Sequence, residues 1–298
     1  MNKSLNYRVI DILKMSTDYL QKKGIENPRL NVELLLGHVL KMNRVQLYLS
    51  FEKPLQASEL DQFRAFLKRR SNHEPIQYII GETEFYSLKF KVNRYTLIPR
   101  PETEILVDKI IEICNKTFSQ LDKIIVLDIG SGCGNIAISL AKNIQNAYIL
   151  GIDINAETVK TASENAQIHN VEDRIRFKVA DVFKADFLKK LTNRFDIIVS
   201  NPPYVSQEEY NTLPIEVKNF EPYIALNGGE DGLTFYRWML QISKDILRPD
   251  GIIGFEIGYN QGKLIKEVAL KLGFKDVEIF KDLNKIDRVI IAWKANFR

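Results

Sequence analysis

The feature that most constrains this chain is a series of short, almost wholly apolar runs separated by helical stretches, beginning at about residue 103. Ile124–Ile129, Tyr148–Ile152, Ile175–Val179, Ile197–Val199 and Ile252–Phe255 each read as a strand covered on both faces. Helical patterns between them predict a doubly wound α/β sheet with right-handed crossovers. The end differs. Val277–Phe280 and Arg288–Trp293 are separated only by a short charged loop, so a strand pair closes the sheet without a helix.

Upstream the period is helical. Val9, Ile10, Leu13, Tyr19 and Leu20 recur at helical spacing until Gly24, and Asn27-Pro28 opens a second helix carrying Leu34, Leu35, Val39 and Leu40. A third helix is predicted to start at Ser58, with Asp61 completing a capping box, and to carry Leu60, Phe63, Phe66 and Leu67. Lys68, Arg69 and Arg70 then read as a solvated helix end. Beyond Pro75, Leu88, Phe90 and Val92 alternate with polar residues as in a strand. The expected organisation is a helical bundle over 1–74, a hairpin linker over 75–95 and an α/β domain over 96–298.

Composition narrows the class. A net charge of +4 and no long basic block give no electrostatic footprint for nucleic acid. Two cysteines, Cys114 and Cys133, cannot build a disulfide framework. The start at Met1–Leu5 has no apolar signal region, and no run reaches the roughly 18–20 apolar residues that span a bilayer. A cytoplasmic chain acting away from membranes is expected, and nothing in the sequence calls for more than a monomer.

The segment Asp128-Ile129-Gly130-Ser131-Gly132-Cys133-Gly134-Asn135 leads from an apolar strand through a glycine turn into a helix. Glycines there let the backbone approach a ligand at the carboxyl edge of a parallel sheet. Asp153, ending the next strand, is placed to accept from two ribose hydroxyls. A dinucleotide site shares these features, but its glycines follow G-x-G-x-x-G. Here Gly130, Gly132 and Gly134 give G-x-G-x-G, and Asp128 would repel a pyrophosphate. Asp181, at the end of the third strand, is placed to hold an adenine amino group; alone it would read as a turn former. Cys133 reads as a small residue in a tight turn, since no histidine among His38, His73 and His169 has the context to activate it, and no metal-ligand spacing appears.

The sharpest signal is Asn201-Pro202-Pro203-Tyr204, directly after the strand Phe195–Ser200. Two prolines fix φ and remove two amide donors, leaving a rigid loop of acceptors. The Asn201 side-chain oxygen and the Pro202 carbonyl can each accept one hydrogen of a planar NH₂ group, with Tyr204 stacked on its plane. An amide nitrogen is a poor nucleophile because its lone pair is delocalised. Holding both hydrogens directs the lone pair at an incoming carbon and stabilises the charge that develops.

With these residues in hand, the chain resembles the release factor glutamine methyltransferases over nearly its whole length. The likeness rests on Pro75–Gly81, on Leu97-Ile98-Pro99-Arg100-Pro101-Glu102-Thr103-Glu104, on the Asp128–Gly134 loop, on Asn201–Tyr204, and on Glu221-Pro222 with Gly228–Gly232. The resemblance implies a class I S-adenosylmethionine-dependent methyltransferase, Rossmann-like, with a seven-stranded sheet in the order 3-2-1-4-5-7-6. It implies S-adenosylmethionine, with S-adenosylhomocysteine as product and no metal, held by Gly130, Ser131, Gly132, Cys133, Gly134, Asp153, Asp181, Val182 and Asn201. Val182 stands where the family often has an aromatic residue, with Phe183 next.

The resemblance also implies a glutamine of a Gly-Gly-Gln loop gripped by Asn201, Pro202, Pro203 and Tyr204, with Leu97 as an apolar wall. Arg100 and Thr103 would lie near the cofactor and the site's mouth; their plainer readings are a loop ion pair and a helix cap. The partner would be a class I release factor, positioned by the helical domain. A ribosomal-protein glutamine methyltransferase would share the chemistry, but Pro101–Glu104 favours the release factor. An N6-adenine nucleic-acid methyltransferase would use the same tetrapeptide on a flipped base. The weak net charge counts against it. A binding module without activity would have no need of the Asn201–Tyr204 geometry.

Overall fold

The computed structural model describes residues 7–184, 191 and 194–295. It divides into two compact units: Met1–Gly81 with Ile215–Phe220, and Glu82–Pro214 with Glu221–Arg298. The expected 75–95 linker is therefore split, its first residues belonging with the helices. The segment read at Met1–Leu5 lies outside the described residues.

The first unit contains α1 (Val9–Lys22), α2 (Pro28–Leu40), α3 (Arg44–Leu49), α4 (Ala57–Ser71), α5 (Ile76–Ile80) and, from later in the chain, α10 (Ile215–Phe220). Val9, Leu13 and Leu20 of α1 meet Val32, Leu35 and Leu36 of α2 and Phe63 of α4 in one core. Ile10 and Tyr19, one step round α1, stay exposed. The third long helix begins earlier than predicted. Ala57 is its first residue, and Glu59 rather than Asp61 reaches back, accepting from the Gln56 amide at 2.8 Å. Glu59 can do so because it sits three residues past the cap, where its oxygen meets that orphan donor.

The basic run also departs from a solvated helix end. Arg70 is buried, its Nε donating to Asn31 Oδ1 at 2.6 Å and its Nη2 to Glu216 Oε1 at 2.5 Å. That ion pair ties α10 to α4, linking a segment distant in sequence to this unit. A hydrogen-bonded, paired guanidinium is the form in which a buried Arg is tolerated.

The second unit opens with a hairpin, β1 (Glu82–Phe85) and β2 (Leu88–Lys91), joined through Tyr86 and Ser87. Both turn residues have positive φ, as a two-residue hairpin turn requires. Then follow α6 (Thr103–Thr117), β3 (Ile124–Ile129), α7 (Asn135–Asn143), β4 (Ala147–Asp153), α8 (Ala156–Ile168), β5 (Ile175–Val179), β6 (Phe195–Ser200), α9 (Gln207–Thr212), α11 (Thr234–Ile246), β7 (Leu247–Glu256), α12 (Gly262–Lys271), β8 (Asp276–Lys281) and β9 (Asp287–Trp293). A short 3₁₀ turn lies at Tyr223–Ala225.

Seven strands form one sheet in the order β5-β4-β3-β6-β7-β9-β8, which is the 3-2-1-4-5-7-6 order anticipated above. β9 alone runs antiparallel to its neighbours β7 and β8. The central strands are buried as their apolar runs require: every residue of β6 is buried, as are the last six of β7. β5 is different, exposing Arg176, Lys178 and Val179, because it is an edge strand. The sequence order reverses between β4 and β6 across β3. Ligands of such sheets lie outside the carboxyl ends of the strands beside that reversal.

Candidate active site

The carboxyl ends of β3, β4 and β6 open into a cavity of about 530 Å³, within the size range of small-molecule sites. Gly130 and Gly132 line it from the turn after β3, Asp153 from the end of β4, Asp181 and Val182 from the segment after β5, and Asn201, Pro202 and Pro203 from the loop after β6. Leu97 lines it too. Residues singled out at four separate strand ends thus share one chamber.

Asp153 is positioned by backbone. Its Oδ2 accepts from the Gly132 amide at 3.1 Å and its Oδ1 from the Asn155 amide at 3.0 Å. Burial raises its carboxyl above the usual range, opposed by those amides. Asp181 both faces the cavity and closes its own turn, accepting from the Phe183 amide at 3.0 Å, so the two readings of this residue coexist.

Several anticipated side chains do not reach the cavity. Ser131 turns inward to the carbonyls of Asp128 and Ile152. Cys133 is fully buried, and burial pushes its thiol up to about 12, the state of an inert packing residue. Gly134 packs against Phe177, Ile138 and Ala162. Asp128, expected to face a ligand, is buried on the opposite face of β3 from Ile129, because alternate residues of a strand point to opposite sides. Among the described residues its oxygens meet no donor in full hydrogen-bond geometry, and burial pushes its carboxyl up to about 7, opposed by the nearby Ala137 amide and Ser131 hydroxyl.

Thr103 sits behind Asn201 rather than in the cavity wall. Its hydroxyl accepts from Asn201 Nδ2 at 3.2 Å and donates to the buried carboxylate of Glu256. Tyr204 also turns away from the chamber, its hydroxyl 3.4 Å from Glu256 Oε1. Burial drives the Tyr204 phenol well above its ordinary range and pushes Glu256 up to about 7. Arg100 takes its plainer reading, an ion pair with buried Glu221.

The Asn201–Tyr204 loop is held by groups that sequence reasoning passed over. Gln261 Nε2 donates to the Tyr204 carbonyl at 2.9 Å while its Oε1 accepts from the Gly258 amide at 3.0 Å. Val205 and Gly228 exchange backbone bonds with their neighbours across the loop, Val205 N to Leu226 O and Gly228 N to Val205 O, each at 2.9 Å. Here the glycines of the Gly228–Gly232 block acquire a physical reason. A Cβ at Gly228 would fall 2.8 Å from Tyr204 Cα, and one at Gly232 would fall 2.4 Å from the Tyr204 carbonyl oxygen.

Gly232 also has φ +74°. Gly232→Ala therefore meets a steric clash as well as backbone strain, whereas Gly24→Ala, at φ +73° with no atom within 4 Å, meets strain alone. The expected melting-temperature loss at Gly24 corresponds to about 1 kcal/mol, and at Gly232 to about 2–4 kcal/mol. Only the Gly232 variant should also lose turnover, read from thermal melts and steady-state rates side by side.

The chamber's remaining wall is apolar and aromatic. Tyr95, Ile154, Phe183, Tyr223, Ile224 and Phe235 line it, and Phe183 packs on Phe235 with ring centroids 5.0 Å apart. Phe183 thus supplies the aromatic surface beside Val182. The charged side chains on the lining are two carboxylates, Asp153 and Asp181, with no Lys or Arg among the described residues. That donor set suits a ligand that carries positive charge and hydroxyls, and opposes a pyrophosphate. S-adenosylmethionine, a sulfonium with a ribose and an adenine, is compatible with these groups: Asp153 could hold the ribose, Asp181 the adenine edge, and Phe183 with Phe235 its face.

Residues 11–81 match the family described as PrmC N-terminal domain, and residues 121–283 the family described as methyltransferase domain. The chain is 38% identical over 283 residues to a release factor glutamine methyltransferase from Chlorobaculum tepidum, covering 95% of this chain and 96% of that one. It is 42% identical over 262 residues to another from Thermodesulfovibrio yellowstonii, covering 88% and 91%. Among solved structures, the catalytic domain of hMettl16 shares the fold with TM-score 0.56 at 16% identity, over 81% of this chain and 83% of that one. Identity over nearly the full length of both chains, on a sheet of this strand order with this chamber at its switch point, places the protein in the release factor glutamine methyltransferase family, S-adenosylmethionine-dependent enzymes of the class I fold.

Proposed function

We propose that the protein transfers a methyl group from S-adenosylmethionine to the side-chain amide nitrogen of the glutamine in the Gly-Gly-Gln loop of a peptide chain release factor. The observation that carries this reading is that Asn201, Pro202 and Pro203 line the same chamber as Gly130, Gly132 and Asp153. An acceptor amide held by the tetrapeptide therefore shares a space with the cofactor groups, and family membership supplies the class of acceptor.

Bound there, S-adenosylmethionine supplies an electrophilic methyl carbon. The chain's own residues supply alignment. Asn201 Nδ2 is engaged by Thr103, which leaves Oδ1 as the atom free to accept from a substrate N–H. The Pro202 carbonyl accepts the other. Two fixed acceptors hold the NH₂ plane, favour pyramidal nitrogen, and stabilise positive charge as the new N–C bond forms. The nitrogen's proton becomes acidic on alkylation, so no strong base is required. Leu97, Tyr223 and Ile224 supply an apolar surround for the amide. The helical unit positions the release factor.

A transfer assay with labelled S-adenosylmethionine tests the reading. Label should enter release factor, and should not enter the factor whose loop glutamine is alanine. Transfer only to ribosomal protein or DNA would move the substrate to another class while keeping the cofactor site.

A further inference from the structure

We propose that Glu256, acting through the Thr103 hydroxyl, sets which edge of the Asn201 amide faces the chamber. The inference rests on the reading of Asn201 as the acceptor for a substrate amide. Glu256 ends β7 and Asn201 follows β6; the two strands are adjacent and parallel, with Ser200 opposite Phe255, so the two residues leave the sheet side by side. Thr103 opens α6 and lies between them.

The hydrogen count decides the polarity. A threonine hydroxyl has one hydrogen. Here it goes to Glu256 Oε2, so toward Asn201 the hydroxyl is an acceptor and must meet the NH₂ group. The Asn201 oxygen is then on the other side. Without Glu256 the hydroxyl is free to donate instead, and the amide gains a second orientation that presents NH₂ to the substrate's own N–H groups. A donor facing a donor cannot bind. As a carboxylate Glu256 only accepts, Oε2 taking the Thr103 hydrogen while Oε1 faces the Tyr204 hydroxyl, and the backbone is fixed independently by Tyr236 Oη on the Glu256 carbonyl at 3.0 Å. Thr103 and Glu256 are 1% and 2% exposed, so water does not compete for these bonds. Both are positioning residues, since neither lines the chamber.

Thr103→Val keeps shape and removes the hydroxyl; Thr103→Ser keeps the hydroxyl. The expected result is a fall in kcat of about three- to tenfold in Thr103→Val, the scale of one net hydrogen bond. KM for S-adenosylmethionine should stay within about twofold, and Thr103→Ser should recover most of kcat. Because Glu256 acts through Thr103, Glu256→Ala in the Thr103→Val background should add little to the loss. Equal kcat in Thr103→Val and the parent, or full additivity in the double variant, would overturn the proposal. If Glu256→Ala does not fold, the two Thr103 variants still decide.

A second readout needs no release factor. The Asn201 side-chain ¹⁵N amide resonance, identified by its loss in Asn201→Asp, should shift in Thr103→Val and hold its place in Thr103→Ser. An unmoved resonance in Thr103→Val would overturn the relay. Absence of methyl transfer by the parent protein to any release factor would remove the functional reading alone, leaving this resonance to judge the contact.

Discussion

Asn201→Ala should lower kcat by about two to three orders of magnitude while leaving the Kd for S-adenosylmethionine within a few-fold of the parent. The magnitude is that of removing one preorganised polar group aimed at developing charge. On the proposed reading the loss falls on turnover, because Asn201 Oδ1 would accept the amide hydrogen while Asp153, Gly130 and Gly132, which line the same chamber, would still hold the cofactor. The loop itself stays anchored by Gln261 on the Tyr204 carbonyl and by the Val205 backbone bonds, so the truncation is local. Calorimetric titration of the cofactor beside single-turnover transfer checks the split. Comparable losses in affinity and turnover would show that Asn201 holds the cofactor rather than the acceptor.

Asp153→Ala should do the reverse. A carboxylate accepting from ribose hydroxyls makes charge-assisted hydrogen bonds of about 1.5–3 kcal/mol each, so cofactor affinity should fall about 10- to 100-fold or more. The same change removes the acceptor for the amides of Gly132 and Asn155, which loosens the glycine turn that lines the chamber. At saturating cofactor, turnover should return to within several-fold of the parent. Asp153→Asn keeps an acceptor for one of those amides and should fall between the two. Equilibrium binding across a cofactor concentration series distinguishes these outcomes. An unchanged Kd would remove Asp153 from the ribose site.

The sheet was legible because covered parallel strands leave little choice of residue. Ile124–Ile129 and Ile175–Val179 coincide with β3 and β5, and the closing pair at β8 and β9 was visible from its short charged loop. Shorter helices were not legible. α3 and α5 have six and five residues, too few turns to show a period, and α5 occupied the start of what read as a hairpin. The start of α4 slipped because Ser58 and Asp61 match a capping box as well as the pair that forms it, and only the backbone geometry separates them.

For the site, strand ends carried the information. Asp153, Asp181 and Asn201 each close an apolar run, and all three line the chamber. Glu256 closes an apolar run in the same way and could have been found by the same rule. Thr103 reads from the sequence as a residue near the cofactor and the site's mouth, because its contact with Asn201 spans 98 residues and leaves no local signal. Gln261 and Phe235 had no local signal. Their roles arise from helices folding back over the loop, a tertiary fact that no spacing records. The burial of Asp128 likewise depends on which side of β3 it occupies, and the inward turn of Ser131 and Cys133 on the conformation of the glycine turn that follows.

The central claim, that a glutamine side-chain amide is the acceptor, is tested most directly by locating the methyl group. Release factor incubated with the protein and S-adenosylmethionine would be digested and sequenced by tandem mass spectrometry. The account predicts one added methylene mass on the glutamine of the Gly-Gly-Gln peptide, confined to its side chain and absent from the Asn201→Ala reaction. The same mass on another residue, or on the peptide backbone, would contradict it.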